Sequence, residues 1–205
     1  MRILGIYASP RKGGNTDILL DVALREASDA GADVRRLFAR DLVVPPCVGC
    51  GSCDDTGHCF MRDDFDRVIE EIDSADAMIF ATPIHFYTVS AHGMALISRA
   101  QSSWARRYVL KDEDVVGKPL KPAAAISVAA TNGKKLFDGL RLTMYYFFYA
   151  AGYSLSHDLF VPGVDNKGDI LDKPDAIEKA RGIGRALATQ APPAATENDD
   201  DKALV

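Results

Sequence analysis

The sequence predicts an α/β fold of three layers: one parallel sheet of five strands in the order 2-1-3-4-5, with helices on both faces. Short β-rich runs alternate with helix-period stretches from end to end, the pattern of a parallel sheet whose crossovers are helices. Five such strands joined by right-handed crossovers fall into a doubly wound topology, for which 2-1-3-4-5 is the expected order. The length, 205 residues, fits one domain. In such sheets ligands sit beyond the carboxyl ends of the strands, at the switch point between the first and third. The strand-to-helix loops are therefore the places to look for chemistry.

Arg2–Ala8 is the first strand, and a Gly/Pro/Asn turn follows it. Thr16–Ala30 places Ile18, Leu19, Val22, Ala23 and Ala27 on one helical face, and Gly31 sits where a closing glycine belongs. Asp33–Phe38 reads as the second strand. The next 26 residues, Ala39–Asp64, show no convincing period. Asp64–Asp73 is a short helix, and Asp76–Thr82 is a buried strand by its apolar run. Ser90 is the N-cap of a helix to Arg99, and Pro122–Ala129 is the fourth strand. Leu136–Ala151 is helical and closed by Gly152, Tyr153–Val161 is the fifth strand, and Pro174–Gln190 is a last helix with proline at its start.

Hydrophobic residues make up 47% and charged residues 26%, which excludes a disordered, collagen-like or coiled-coil chain. No window reaches the ~18 consecutive apolar residues of a membrane span, and the first residues lack the pattern of a signal peptide. Net charge is −5, so nucleic acid is not an expected partner. Residues 1–190 are expected to form the domain, with a cysteine-rich loop at 45–60. Ala191–Val205, with two prolines and an acidic run, is expected to be a disordered tail. A cytoplasmic location is expected.

Ser9-Pro10-Arg11-Lys12-Gly13-Gly14-Asn15-Thr16 leads from the first strand into the first helix. Hydroxyl, amide and glycine backbone groups offer several donors to one anion, Arg11 and Lys12 add charge, and the helix presents its positive end. The motif is neither G-x-G-x-x-G nor G-x-x-x-x-G-K-[ST], which disfavours a dinucleotide fold or a P-loop ATPase. Its bland alternative is an ordinary turn with Asn15 or Thr16 as a plain cap. In the third loop, Thr82-Pro83 ends a buried strand, and Ile84, His85, Phe86 and Tyr87 offer apolar surface and rings to a flat heterocycle, with Ser90 behind them.

All four cysteines lie within thirteen residues: Cys47, Cys50, Cys53 and Cys59, spaced C-x2-C-x2-C-x5-C. A packet of this kind binds a metal or cluster more often than it makes a disulfide framework. Four thiolates are the ligand set of an iron–sulfur cluster. Zinc, a redox C-x-x-C pair and a metal-free packet remain open beside it.

S-P-R-x-x-G-N-T after the first strand resembles the flavin-phosphate loop of the NADPH-dependent FMN reductase and iron–sulfur flavoprotein group. T-P-I-H-F-Y-T-V-S, Thr82–Ser90, is similar to that group's S-P-x-Y-F-x-x-x-S. The cysteine spacing is similar to the compact motif of iron–sulfur flavoproteins. The resemblance covers roughly the first half of the chain and implies a flavodoxin-like fold with bound FMN. It implies contacts from Ser9, Arg11, Lys12, Gly14, Asn15 and Thr16 to the phosphate, and from Pro83, Ile84, His85, Phe86 and Ser90 along the ring. His85 stands where the family usually has tyrosine. The resemblance further implies that backbone at Ala130 and Thr131 closes over the pyrimidine end, although the family's usual glycine pair is absent. It implies a 4Fe-4S cluster on Cys47, Cys50, Cys53 and Cys59.

The expected activity is electron transfer between NAD(P)H or a ferredoxin-like donor and a small-molecule or protein acceptor. The alternatives are a cluster-free NAD(P)H-dependent FMN or quinone reductase, and an electron carrier without its own substrate. No catalytic side chain is named, because hydride moves directly to the flavin. No Ser/His/Asp set or helical H-E-x-x-H appears, which disfavours hydrolysis. Five consecutive aromatics, Tyr145–Tyr149, exceed what one helical face can bury. They predict a subunit interface, rimmed by Trp104, Arg106 and Arg107, in a homodimer or homotetramer.

Overall fold

The apolar runs do become strands, and the strands form one parallel sheet. In the computed structural model, which describes residues 1–189, β1 (Arg2–Tyr7), β2 (Asp33–Phe38), β3 (Ala77–Pro83), β4 (Lys121–Ala129) and β5 (Tyr153–Pro162) are joined in the order β2-β1-β3-β4-β5. Every neighbouring pair is parallel, with Ile6 opposite Leu37 on one side and Phe80 on the other. A bulge between Ala123 and Ala124 shifts the β4–β5 register. The expected tail at 191–205, and Gln190, lie outside the described residues.

Each face carries its own core. On one side α1 (Asn15–Asp29) and α8 (Pro174–Thr189) bury Leu19, Leu20, Leu24, Ile183 and Leu187 against the sheet. On the other, α3 (Phe65–Ser74), α4 (Ala91–Arg99) and α7 (Asp138–Ala150) bury Phe65, Ile72, Leu96, Met144 and Phe148. Gly31 closes α1 at φ +94, with Ala32 N–H bonded back to Ala27 O. Among the described residues, no helix is long and apolar enough to cross a membrane.

Among the described residues, several short helical pieces have no counterpart in the sequence reading. α2 (Ser52–Thr56) lies inside the cysteine packet, and α5 (Gln101–Trp104), a π turn (Ala105–Val109) and α6 (Glu113–Val116) follow α4. Each is too short to show a hydrophobic period. The aromatic run divides between core and surface. Phe147 and Phe148 are buried, Tyr146 is 42% exposed, and the Arg107 guanidinium lies 4.9 Å from the Tyr149 ring centroid.

Candidate functional site

The loops after β1 and β3 leave the sheet toward opposite faces, and a crevice opens between them. After β1 the chain turns through Ser9–Gly14. Ser9 Oγ accepts from Arg11 N–H (3.1 Å), the Gly14 N–H donates to Arg11 O (3.1 Å), and Gly13 takes a φ of +64, which suits glycine. Gly14 caps α1 without a side-chain bond, and the first helical bond is Ile18 N–H to Gly14 O. The N–H groups of Asn15 and Thr16 therefore have no acceptor within their helix, at the positive end of a 15-residue helix. A side chain at position 14 would bring its Cβ to 3.1 Å from Arg11 O.

Two residues missed in the sequence brace this loop from behind. Asp17 Oδ2 accepts from Gly13 N–H at 2.9 Å and pairs with Arg40 Nη1 at 3.0 Å, while Arg40 also donates to Ser9 O at 3.2 Å. Their side chains are 3% and 11% exposed. Burial pushes the Asp17 carboxyl above its ordinary pKa, more than the Gly13 N–H and Arg40 pull it down. An acid in the first helical turn was the available signal for Asp17. Arg40, from the turn after β2, gave none.

A segment after β5 straps the loop on its other side. The Asn15 amide donates to Asn166 O (2.8 Å) and accepts from Gly168 N–H (2.8 Å). Arg11 Nη1 reaches Asp165 O at 3.2 Å, and Lys167 Nζ reaches Lys12 O at 3.0 Å. Asn15 thus spends its side chain on the strap, and only its backbone N–H faces the task the sequence suggested for the whole residue.

The opposite wall is the β3–α4 loop. Ile84 N–H donates to Val128 O (2.9 Å), and His85 and Thr88 exchange backbone bonds of 3.0 and 3.1 Å around a two-residue turn. Phe86 and Tyr87 both take positive φ there, +49 and +63, as a primed hairpin turn requires. Ser90 caps α4: its hydroxyl donates to Ala8 O and accepts from Gly93 N–H, and it is fully buried.

The resulting cleft has a volume of about 230 Å³. Ser9, Arg11, Gly14, Asn15, Thr16, Pro83, Ile84, His85 and Ala130 line it, together with Val128, Val164 and Asp165, which the sequence reading did not name. Lys12, Phe86, Ser90 and Thr131 do not line it. Phe86 is fully exposed at the tip of its turn. Lys12 and Thr131 are exposed and engage the strap through their carbonyls, Thr131 O accepting from Gly163 N–H at 3.2 Å.

The cysteine packet forms a second cavity, of about 410 Å³. Cys47, Cys50, Cys53 and Cys59 all line it, and all four are free thiols. Gly49, Gly51 and Gly57 turn the chain with φ between +68 and +77. The packet leaves the strand ends, and its cavity is closed by Ser98 and Arg99 at the far end of α4 and by Gln101 and Ser102 of α5. Nine residues of helix, roughly 14 Å, separate Ser90 beside Ala8 from Arg99. The Ser52 hydroxyl holds the exposed Cys50 thiol below its ordinary pKa, and burial pushes Cys53 above it. Among the described residues, no group of three or more His, Cys, Asp or Glu stands close enough to hold a metal ion. Asp63 and Asp64, at the start of α3, accept from Phe65 N–H (2.9 Å) and Val43 N–H (2.7 Å) respectively.

Known proteins are similar to this chain in sequence or in fold. The chain is 33% identical over 131 residues to an iron-sulfur flavoprotein of Methanosarcina thermophila, covering 64% of each. It is 36% identical over 99 residues to one of Archaeoglobus fulgidus, covering 48% of this chain and 45% of that one. The matched stretch thus spans about half to two thirds of these relatives' own length. The NAD(P)H:quinone oxidoreductase of Methanothermobacter marburgensis superposes with a TM-score of 0.71 over 95% of this chain and 99% of its own, at 16% identity, a likeness of fold. The family model of NADPH-dependent FMN reductase matches residues 1–151. That match takes in the loop before α1, the cysteine packet and the β3–α4 loop, and the chain belongs to the NADPH-dependent FMN reductase family.

Proposed function

We propose that the chain is an FMN-dependent oxidoreductase that moves electrons from NAD(P)H or a ferredoxin-like protein to a small-molecule or protein acceptor, with a 4Fe-4S cluster on Cys47, Cys50, Cys53 and Cys59. The observation that carries the flavin reading is the cleft at the switch point, into which the open N-terminus of α1 and the β3–α4 loop both face. Ser9, Arg11, Gly14 and the N–H groups of Asn15 and Thr16 would hold the FMN phosphate, by donors and helix dipole together. Pro83, Ile84 and His85 would lie along the ring, with Ala130 at its far edge. Bound FMN supplies the hydride and single-electron chemistry. The chain's residues orient it and need supply no acid or base.

The four free thiols ring one cavity without converging on a point. Four thiolates are the ligand set of an iron–sulfur cluster, whereas zinc more often takes C-x2-C pairs separated by a longer arm. Four reduced cysteines also suit a reducing compartment such as the cytoplasm. Self-association as a dimer or tetramer would use the outward side of α7, where Leu142 is 59% exposed and Tyr146 42%. The cluster-free alternative, an FMN or quinone reductase, keeps the cleft and leaves the thiols free.

Protein purified without oxygen is expected to show flavin absorption with a broad iron–sulfur shoulder, and to oxidise NAD(P)H with a quinone acceptor. A colourless protein would overturn the reading, and flavin without turnover would leave only an electron carrier. Replacing any one of the four cysteines by serine is expected to remove most of the iron while FMN is retained, because serine is a poor substitute for a soft thiolate. Full flavin with no iron or sulfide in the reconstituted wild type would leave the cluster-free reductase.

Asn15→Ala releases the strap rather than a phosphate contact. It is expected to weaken FMN retention by roughly tenfold, about 1–2 kcal/mol for the lost neutral bonds, as read by flavin fluorescence on dilution. Retention unchanged from wild type would sever the strap from the site.

A further inference from the structure

Arg99 is 1% exposed, an unusual place for a guanidinium. Its Nη1 and Nη2 make a two-pronged pair with Asp63, at 2.7 and 3.2 Å, and Nη1 also donates to Pro45 O at 3.1 Å. Its charge sits 4.8 Å from the Phe65 ring centroid. Pro45 lies just before Cys47, and Asp63 lies just after Cys59. One side chain thus ties together the two ends of the packet. The neighbouring Ser98 hydroxyl takes the Cys47 N–H at 3.2 Å. Arg99 is also the single basic residue among those lining the cysteine cavity, and its Nε is buried without an acceptor. A helix C-terminus attracts a cation, but that alone asks neither for burial nor for a fork onto Asp63.

We propose that Arg99 is the positioning residue of the cysteine cavity, clamping both ends of the packet and setting a fixed positive charge beside the group that the four cysteines hold. The electrostatic half rests on the cluster reading, and the clamp does not. An arginine guanidinium does not deprotonate in proteins, and the fork onto Asp63 holds it in place, so the charge is fixed. A 4Fe-4S cluster with four thiolates is an anion, and a buried cation beside it favours the reduced, more negative form. Net charge and hydrogen bonding are among the factors that set such potentials. Lysine would keep the charge but lose the fork.

The test compares wild type, Arg99→Gln and Arg99→Lys as full chains, metal-free and after anaerobic reconstitution with ferrous iron and sulfide. In metal-free protein, Arg99→Gln is expected to speed iodoacetamide alkylation of Cys59 several-fold, read by peptide mass, and to open residues 45–63 to proteolysis. Arg99→Lys is expected to do the same, since an ammonium cannot fork onto Asp63. In reconstituted protein, the cluster midpoint, read by dye-coupled titration, is expected to fall in Arg99→Gln and to return close to the wild-type value in Arg99→Lys. Unchanged alkylation in both variants overturns the clamp, and an unchanged midpoint in Arg99→Gln overturns the electrostatic role. Should Arg99→Gln lose its flavin and its cooperative melt, Arg99→Lys decides the clamp alone, and its alkylation at the wild-type rate overturns it. If the wild type takes up no iron or sulfide, the cluster reading fails together with the electrostatic role, and alkylation still decides the clamp.

Discussion

Gly184→Ala is expected to destabilise the protein by about 3 kcal/mol or more, at the upper end of overpacking costs. Gly184 lies in α8 where that helix crosses α1. A Cβ built there falls 2.0 Å from Ala23 O and 2.9 Å from Ala23 C. Both belong to helix backbone, so no flexible tip can swing aside, and the helices must separate. Alanine gains about 1 kcal/mol of helix propensity over glycine, which the steric conflict exceeds. Gly182 provides the internal control, because its Cβ would meet nothing within 4 Å. Gly182→Ala is expected to stabilise by up to about 1 kcal/mol. Denaturant unfolding of the two variants checks both signs, and equal effects at the two positions would refute the close crossing of α1 and α8.

Asp17→Ala is expected to damage stability and flavin binding together. It leaves the Arg40 guanidinium, 11% exposed, without its carboxylate, and removes the acceptor of the Gly13 N–H. Breaking a buried pair from one side costs about 3–5 kcal/mol. Asp17→Leu with Arg40→Met is expected to be much milder than either single change, because no charge is then stranded. Flavin per chain should fall in the single variant, since the loop before α1 loses its brace. A loss below about 1 kcal/mol, within the range of an exposed pair, would show that Asp17 and Arg40 are not the brace.

The strands and long helices were legible because their apolar runs and periods are local, as in Ala77–Pro83 and in Asn15–Asp29 with its closing Gly31. The cysteine packet was legible for the same reason: its spacing is contained in thirteen residues. What stayed hidden depends on residues far apart in the chain. Arg40 and Arg99 look like ordinary surface cations until the fold sets them against Asp17 and Asp63. The strap on the Asn15 side chain stayed hidden because its partners, Asn166 and Gly168, lie some 150 residues on. The packet's cavity also needed α4, whose far end carries Ser98 and Arg99 to it.

The turn at Phe86 and Tyr87 sets stability against shape. Asn-Gly is the sequence that fits two successive positive φ values, and non-glycine residues held there cost of order 1–3 kcal/mol each. Here two aromatics hold them, one of them fully exposed. Replacing Phe86-Tyr87 by Asn-Gly would therefore yield a sturdier domain whose β3–α4 turn no longer presents two aromatic rings. A selection for thermal resistance alone would tend to erase this turn, whereas a selection that also demands those rings would keep it.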